Sequence, residues 1–159
     1  MRHFAIFCCV ILLGIALSFV WPFASANSVL GAGLNSSGDA PIVADRVVRF
    51  KKSGSDIQDI FKKYLAAGDA PAIAQAAARM AQWGNAIPDY FPSGATSAGA
   101  RDEIWQNFSD FKSKAQKYAA AASQLHKIAQ SGDMKRIAAQ ARVVGGTCKA
   151  CHDVYRIKK

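Results

Sequence analysis

The chain ends on Gly145 to Lys159, "GGTCKACHDVYRIKK", in which Cys148, Cys151 and His152 fall within eight residues of Gly145. Traced backwards, Met134, Ile137, Ala141, Val144, Cys148, Cys151 and Tyr155 recur in steps of three and four, one face of an amphipathic helix. Asp133 stands where an N-cap belongs, just after Ser131-Gly132. Side chains at i, i+3 and i+4 of a helix share a face, so two sulfurs and an imidazole converge on one place at its end.

Three earlier stripes carry the same period. Val43, Val47, Phe50, Gly54, Ile57, Phe61 and Tyr64 form the first, with Gly68 as its stop and Val48 and Ile60 facing outward. Asp69 caps the second, Pro71 lies in its first turn, and Ile73, Ala77, Met80, Trp83 and Ile87 make its apolar side up to Pro88. After the punctuated loop "PDYFPSGATSAGA", a third helix is predicted from near Arg101. Asp102 and Glu103 suit its positive end, and its stripe runs Ile104, Phe108, Phe111, Ala115, Tyr118, Ala122, Leu125. No segment alternates with period two. Four amphipathic helices with short first and third connections predict an all-α, antiparallel up-down-up-down four-helix bundle.

The first residues follow a different logic. A short basic lead, an apolar run from Phe4 to Val20, and Ala24-Ser25-Ala26 make residues 1–26 a secretory signal, cut near Ala26. The run is also long enough for an uncleaved anchor, but Pro22 and the A-x-A pattern favour cleavage. Residues 27–40 are a Gly/Ser/Asn-rich lead-in, and 41–159 the bundle. About 130 residues remain after cleavage, one domain with one core. Export disfavours nucleic acid as the partner of this basic chain, whose formal charge is +9. It also places the chain where paired cysteines oxidise, yet only Cys148 and Cys151 survive cleavage, so a disulfide framework is excluded.

C-x-x-C-H is the attachment pattern of c-type haem. One helical turn spaces the thiols to add across two vinyl groups, and the adjacent histidine can ligate iron. A zinc site would need four ligands, with only His126 in reserve. A thioredoxin-like pair would need a βαβ setting.

The motif lies at the end of a bundle, and here the chain resembles the cytochrome c′ family, the class II cytochromes c. "GGTCKACHDVYR", "ARDEIWQNFSDF" and "VADRVVRF" carry the resemblance, from about Pro41 to Arg156. It implies one covalent haem c, with Cys148 and Cys151 as thioether residues and His152 as the axial iron ligand. It implies Arg46 near the propionates, Arg156 on the proximal side, and Ala95 and Thr96 at the haem edge. Val47 stands where a polar residue often follows the arginine, which removes one hydrogen bond at that edge.

Low-spin members place a methionine four residues after the arginine; here that position is Phe50, which has no lone pair. The expectation is five-coordinate, high-spin iron in a periplasmic protein that is not an enzyme. It would bind nitric oxide or carbon monoxide, exchange electrons with a redox partner protein and pair as a homodimer. The alternative is a low-spin, six-coordinate electron carrier with Met80, Met134 or His126 as the sixth ligand.

Overall fold

The computed structural model describes residues 40–158; the expected signal, most of the lead-in and Lys159 lie outside them. Helix α1 (Ala40–Asp59) passes through a π-helical turn (Ile60–Tyr64) into α2 (Leu65–Ala67). Gly68 then adopts φ 68°, the left-handed conformation that ends a helix without a Cβ clash. The Asp69 carboxylate accepts from the Ala72 N–H at 2.9 Å and Pro71 occupies the first turn, starting α3 (Ala70–Ala86). A 3-10 turn (Ile87–Tyr90) and a loop lead to the short α4 (Glu103–Gln106), then to α5 (Phe108–Ala129). Gly132 (φ 71°) and the Asp133 cap, accepting from the Arg136 N–H at 3.1 Å, start α6 (Met134–Tyr155).

The four long helices form the expected bundle; among the described residues the only β feature is an isolated bridge, Ala100–Arg156. Its tightest seam is α3 against α5. A Cβ on Gly84 would stand 2.8 Å from Ala119 Cα, so only glycine permits that approach. Ile73, Met80, Leu125, Ile137 and Val144 fill the centre, each almost wholly buried. Helix α6 packs on α5, α1 packs on α3, and α1 and α6 make at most marginal contact. None of the described helices is long and apolar enough to cross a membrane.

The second, third and fourth stripes are the buried faces, apart from Phe108, which is exposed at the start of α5, and Met134, Cys148 and Cys151, which are half-buried. The third helix is not continuous from Arg101. Asn107, at φ −131° and ψ 55°, breaks it between α4 and α5.

The first stripe requires a larger correction. Val47 and Phe61 are exposed, whereas Arg46, Asp56 and Ile60 are buried. Ile60 is thus core rather than outward. The face α1 turns to its neighbours holds two charges, each matched by polar partners. Arg79 donates to both Asp56 oxygens (2.7 and 3.3 Å), and Lys52 reaches Oδ1 at 2.5 Å. A buried carboxylate with such partners costs little, and it clasps α1 to α3.

Candidate functional site

Cys148 and Cys151 lie one turn apart on α6, both half-buried and neither in a disulfide. Burial pushes both thiols up, Cys151 to about 11, so both are neutral thiols at neutral pH. His152, the next residue, lies at the edge of the fold. Desolvation of its ring, then the Arg156 charge, lower its pKa against the opposing pull of Asp153. The neutral imidazole keeps a lone pair for a metal.

The end of α6 is held in a frame. Tyr155 is buried and donates its hydroxyl to Asp110 Oδ2 at 2.6 Å. Burial, then that carboxylate, push its phenol to about 12. Beyond it the backbone joins the loop before α4: Arg101 N–H donates to Tyr155 O at 3.0 Å, and Ile157 N–H to Gly99 O at 3.2 Å. Arg101 Nε donates to Arg156 O at 3.2 Å, while the Arg156 side chain stays exposed.

Across the bundle, Arg46 is 2 % exposed, which excludes an ordinary surface cation. Its guanidinium donates to Tyr90 O (3.0 Å), Ala95 O (2.6 Å) and Ser97 Oγ (3.0 Å), and stacks 4.2 Å over the Phe91 ring. Arg46 thereby ties the 88–100 loop to α1. Ala95 is buried in that tie, Thr96 beside it is exposed, and so is Val47 on α1. Phe50 is half-buried, edge-on to Trp83 (5.0 Å) and Phe91 (6.3 Å).

Of the reserve ligands, Met80 is buried in the core and Met134 is half-buried at the start of α6. His126 donates through Nδ1 to Ala74 O at 2.9 Å, pinning α5 to α3, and its Nε2 lies 3.1 Å from Gln130 Nε2.

Two features escaped the sequence reading. Ser53 Oγ and the buried Tyr118 hydroxyl stand 2.5 Å apart, joining α1 to α5. The second is Trp83, whose Nε1 is buried and has no hydrogen-bond partner. Hydrophobic periodicity places Trp83 inward but says nothing about its N–H.

A helical bundle carrying paired thiols and a histidine on its last helix defines the architecture of class II c-type cytochromes. Over residues 42–156 the chain matches the family described as Cytochrome C′, and it belongs to that family. It is 41% identical over 69 residues to a cytochrome c′ from Alcaligenes xylosoxydans xylosoxydans, covering 43% of this chain and 54% of the relative. It is equally 41% identical over 70 residues to a cytochrome c-556 from Agrobacterium tumefaciens, covering 43% of this chain and 57% of the relative. The chain thus spans about half the length of the curated relatives it matches. A solved structure, the nitric oxide complex of a point mutant of cytochrome c prime from Alcaligenes xylosoxidans, superposes with a TM-score of 0.70 at 27% identity, covering 78% of this chain and 99% of that one.

Proteins of this family bind a single covalent haem c, and the residues present fit one. Two unbridged thiols and a neutral imidazole share the end of α6. A Cβ on Gly54 would meet nothing within 4 Å, and one on Gly145 would meet only Phe61, at 3.8 Å. Val47 and Phe61 offer exposed apolar surface on α1.

Proposed function

We propose that this chain is a periplasmic cytochrome c′ that binds nitric oxide or carbon monoxide reversibly and exchanges single electrons with a redox partner protein. The observation that carries the reading is the pairing of C-x-x-C-H on α6 with phenylalanine at position 50 of α1. Cys148 and Cys151 would hold the haem as thioethers, and His152 would ligate its iron. Bound there, the haem supplies an iron that changes oxidation state and can take a small gas as ligand.

The remaining chemistry belongs to the chain. Phe50 offers neither a lone pair to fill the sixth position nor a donor to stabilise charge on bound dioxygen. Nitric oxide and carbon monoxide need less of that help, so apolar surroundings favour them. Arg46, Ala95 and Thr96 hold the edge of the group through the 88–100 loop, and Arg156 lies on the proximal side. Residues 1–26 are an export signal removed near Ala26, 27–40 a lead-in, and 41–159 the working domain. The protein pairs as a homodimer, and exposed Val48 is available for that contact. Its work is gas binding and electron transfer, with slow nitric oxide turnover if a reductase feeds it.

The similarity to a cytochrome c-556 favours a second reading, a low-spin electron carrier. It requires Met80 or Met134 to leave its packing, or His126 to leave Ala74 O. A visible spectrum of the purified protein decides: high-spin, five-coordinate bands and a ferrous form titrated by nitric oxide support the first reading. Six-coordinate, low-spin bands in both oxidation states overturn it.

A further inference from the structure

Helix α6 carries its charges in a row. Lys135, Arg142 and Lys149 recur at seven-residue intervals, and Arg156, the cap just past its end, falls one interval further on. Seven residues are two helical turns less about 20°, so the four lie along one face, about 10.5 Å apart, as a stripe about 31 Å long. All four are exposed, and among the described residues only Lys149 of the four has an ion-pair partner, Asp153, which is also the one acid within α6. Two bonds set α5 antiparallel against this helix: Tyr155 Oη donates to Asp110 Oδ2, and Gln140 Nε2 to Ala121 O. The exposed Lys117 is seven residues on from Asp110 and shares its flank of α5, level with the stretch between Arg142 and Lys149.

The other half of the molecule is built differently. From Phe108 to Lys158 the chain has ten lysines and arginines against three acids, but from Ala40 to Asn107 eight against seven. In that first half Arg49 pairs with Asp45, and Lys52 and Arg79 pair with Asp56. Charge carried for solubility alone would serve as well spread over both halves. Here nearly all of the excess sits on the half that bears C-x-x-C-H.

We infer that the basic stripe of α6, flanked by Lys117, docks an acidic face of the redox partner protein. This rests on the haem reading above and deepens it, giving the partner's surface a chemistry and a landing place. Lys149 and Arg156 stand three residues before and four after His152, so they flank it on the helix surface. A partner drawn to the stripe therefore rests over the turn that bears the iron ligand, which electron exchange requires and adsorption to lipid does not. The spacing of the charges is about one Debye length at 0.1 M salt, about 10 Å, so below that ionic strength their fields add along the row and steer the encounter. Such charges act mainly on the association rate.

The probe is a flavodoxin, an acidic one-electron donor, whose hydroquinone becomes semiquinone as ferric iron becomes ferrous. Stopped-flow rates at low ionic strength are compared for the haem-loaded wild type, for R142E/K149E, and for K51E/K62E, which makes the same charge change at exposed positions on the α1 side. The second-order rate should fall about tenfold or more in R142E/K149E and less than about twofold in K51E/K62E. Equal falls in the two variants would show that only net charge matters and overturn the inference, as would an unchanged rate in R142E/K149E. Sedimentation with vesicles of anionic phospholipid gives the other arm. Binding that R142E/K149E abolishes, with the flavodoxin rate untouched, would assign the stripe to a lipid surface and overturn the docking of a protein. If the variants fail to fold, the wild type still decides. In its diamagnetic ferrous carbon monoxide form, flavodoxin should shift the 15N–H signals of Lys135, Arg142 and Lys149, and shifts confined to α1 and α3 would overturn the inference. A wild type giving no pyridine haemochrome overturns the haem reading, and this inference with it, whereas a loaded wild type with an indifferent R142E/K149E overturns only the docking.

Discussion

The seam between α3 and α5 and the space between α1 and α6 are built on opposite plans. At the first, Gly84 meets the Ala119 backbone, Ala76, Ala77, Ala115 and Ala122 are fully or nearly fully buried, and His126 ties the two helices at one end. The chain completes this half by its own packing. At the second, α1 is clasped to its neighbours by ion pairs and by Arg46, while Val47 and Phe61 remain exposed and Gly54 faces open space. Apolar side chains left partly uncovered on α1 suit a flat apolar group better than a fifth helix. The difference teaches that one side of the bundle is closed by the chain's own packing, and the other is left partly uncovered.

The comparison breaks most completely at the thiols. Replacing both Cys148 and Cys151 with serine removes both thioether-forming atoms, so covalent haem on a denaturing gel stained for peroxidase activity should fall to nothing. Single replacements should leave only a minor fraction attached. Retained covalent haem in the double variant would show that the α1–α6 side is not its place. Next in size is Phe50→Met, which should convert the ferric spectrum toward low spin by giving the iron a thioether ligand. A spectrum that stays high-spin in a folded protein would mean that position 50 does not face the iron.

Smaller effects measure the clasp and the seam. Arg79→Ala leaves Asp56 with Lys52 alone and should cost roughly 2 kcal/mol in urea unfolding at neutral pH. That is below the roughly 3–5 kcal/mol of a fully buried pair, because the Arg79 side chain is half-exposed and the solvent screens it. Burial raises the Asp56 pKa, but its bonds to Arg79 and Lys52 outweigh that and hold it below the ordinary 3.8. A carboxylate depressed by folding contributes its full stability above the ordinary value and loses it as pH falls through the folded one. The difference between R79A and wild type should therefore shrink in acid, starting below about pH 4. Gly84→Ala forces a Cβ to 2.8 Å from backbone atoms that cannot rotate away. Because backbone is what the methyl meets, the overpacking falls in the upper part of its usual range, about 2–3 kcal/mol, against a helix-propensity gain of about 1 kcal/mol, giving a net loss of about 1–2 kcal/mol seen as a lowered Tm.

The closed side was the more legible half. Asp69, Pro71, Gly68, Gly132 and Asp133 announce helix ends through local chemistry, and the stripes of α3, α5 and α6 are apolar because their neighbours are. The C-x-x-C-H motif was legible for the same local reason. The buried face of α1 was not. Arg46 and Asp56 face inward because Arg79 and the carbonyls of Tyr90 and Ala95 await them, partners between 23 and 49 residues away in sequence. Asn107 escaped because the apolar period runs through it, so the break is visible only in the backbone and in the bond from Trp105 Nε1–H to Pro92 O, 2.9 Å, that holds α4 aside. The unpaired indole of Trp83 is likewise invisible to any pattern of apolar residues.

Gly54→Ala gives the smallest effect and the finest test of the contrast between the two sides. Within a solvent-facing helix, alanine for glycine stabilises by about 0.5–1 kcal/mol, since the backbone has less freedom to lose. Gly54 lies inside α1, without a positive φ and with no protein atom near its absent Cβ, so on bare helix that gain should appear in full. If the macrocycle covers this face, the new methyl meets the ring and the gain is cancelled. We expect the haem-loaded G54A protein to melt no higher than wild type. A rise in Tm with an unaltered spectrum would show that nothing lies against Gly54, and would move the haem away from this stretch of α1.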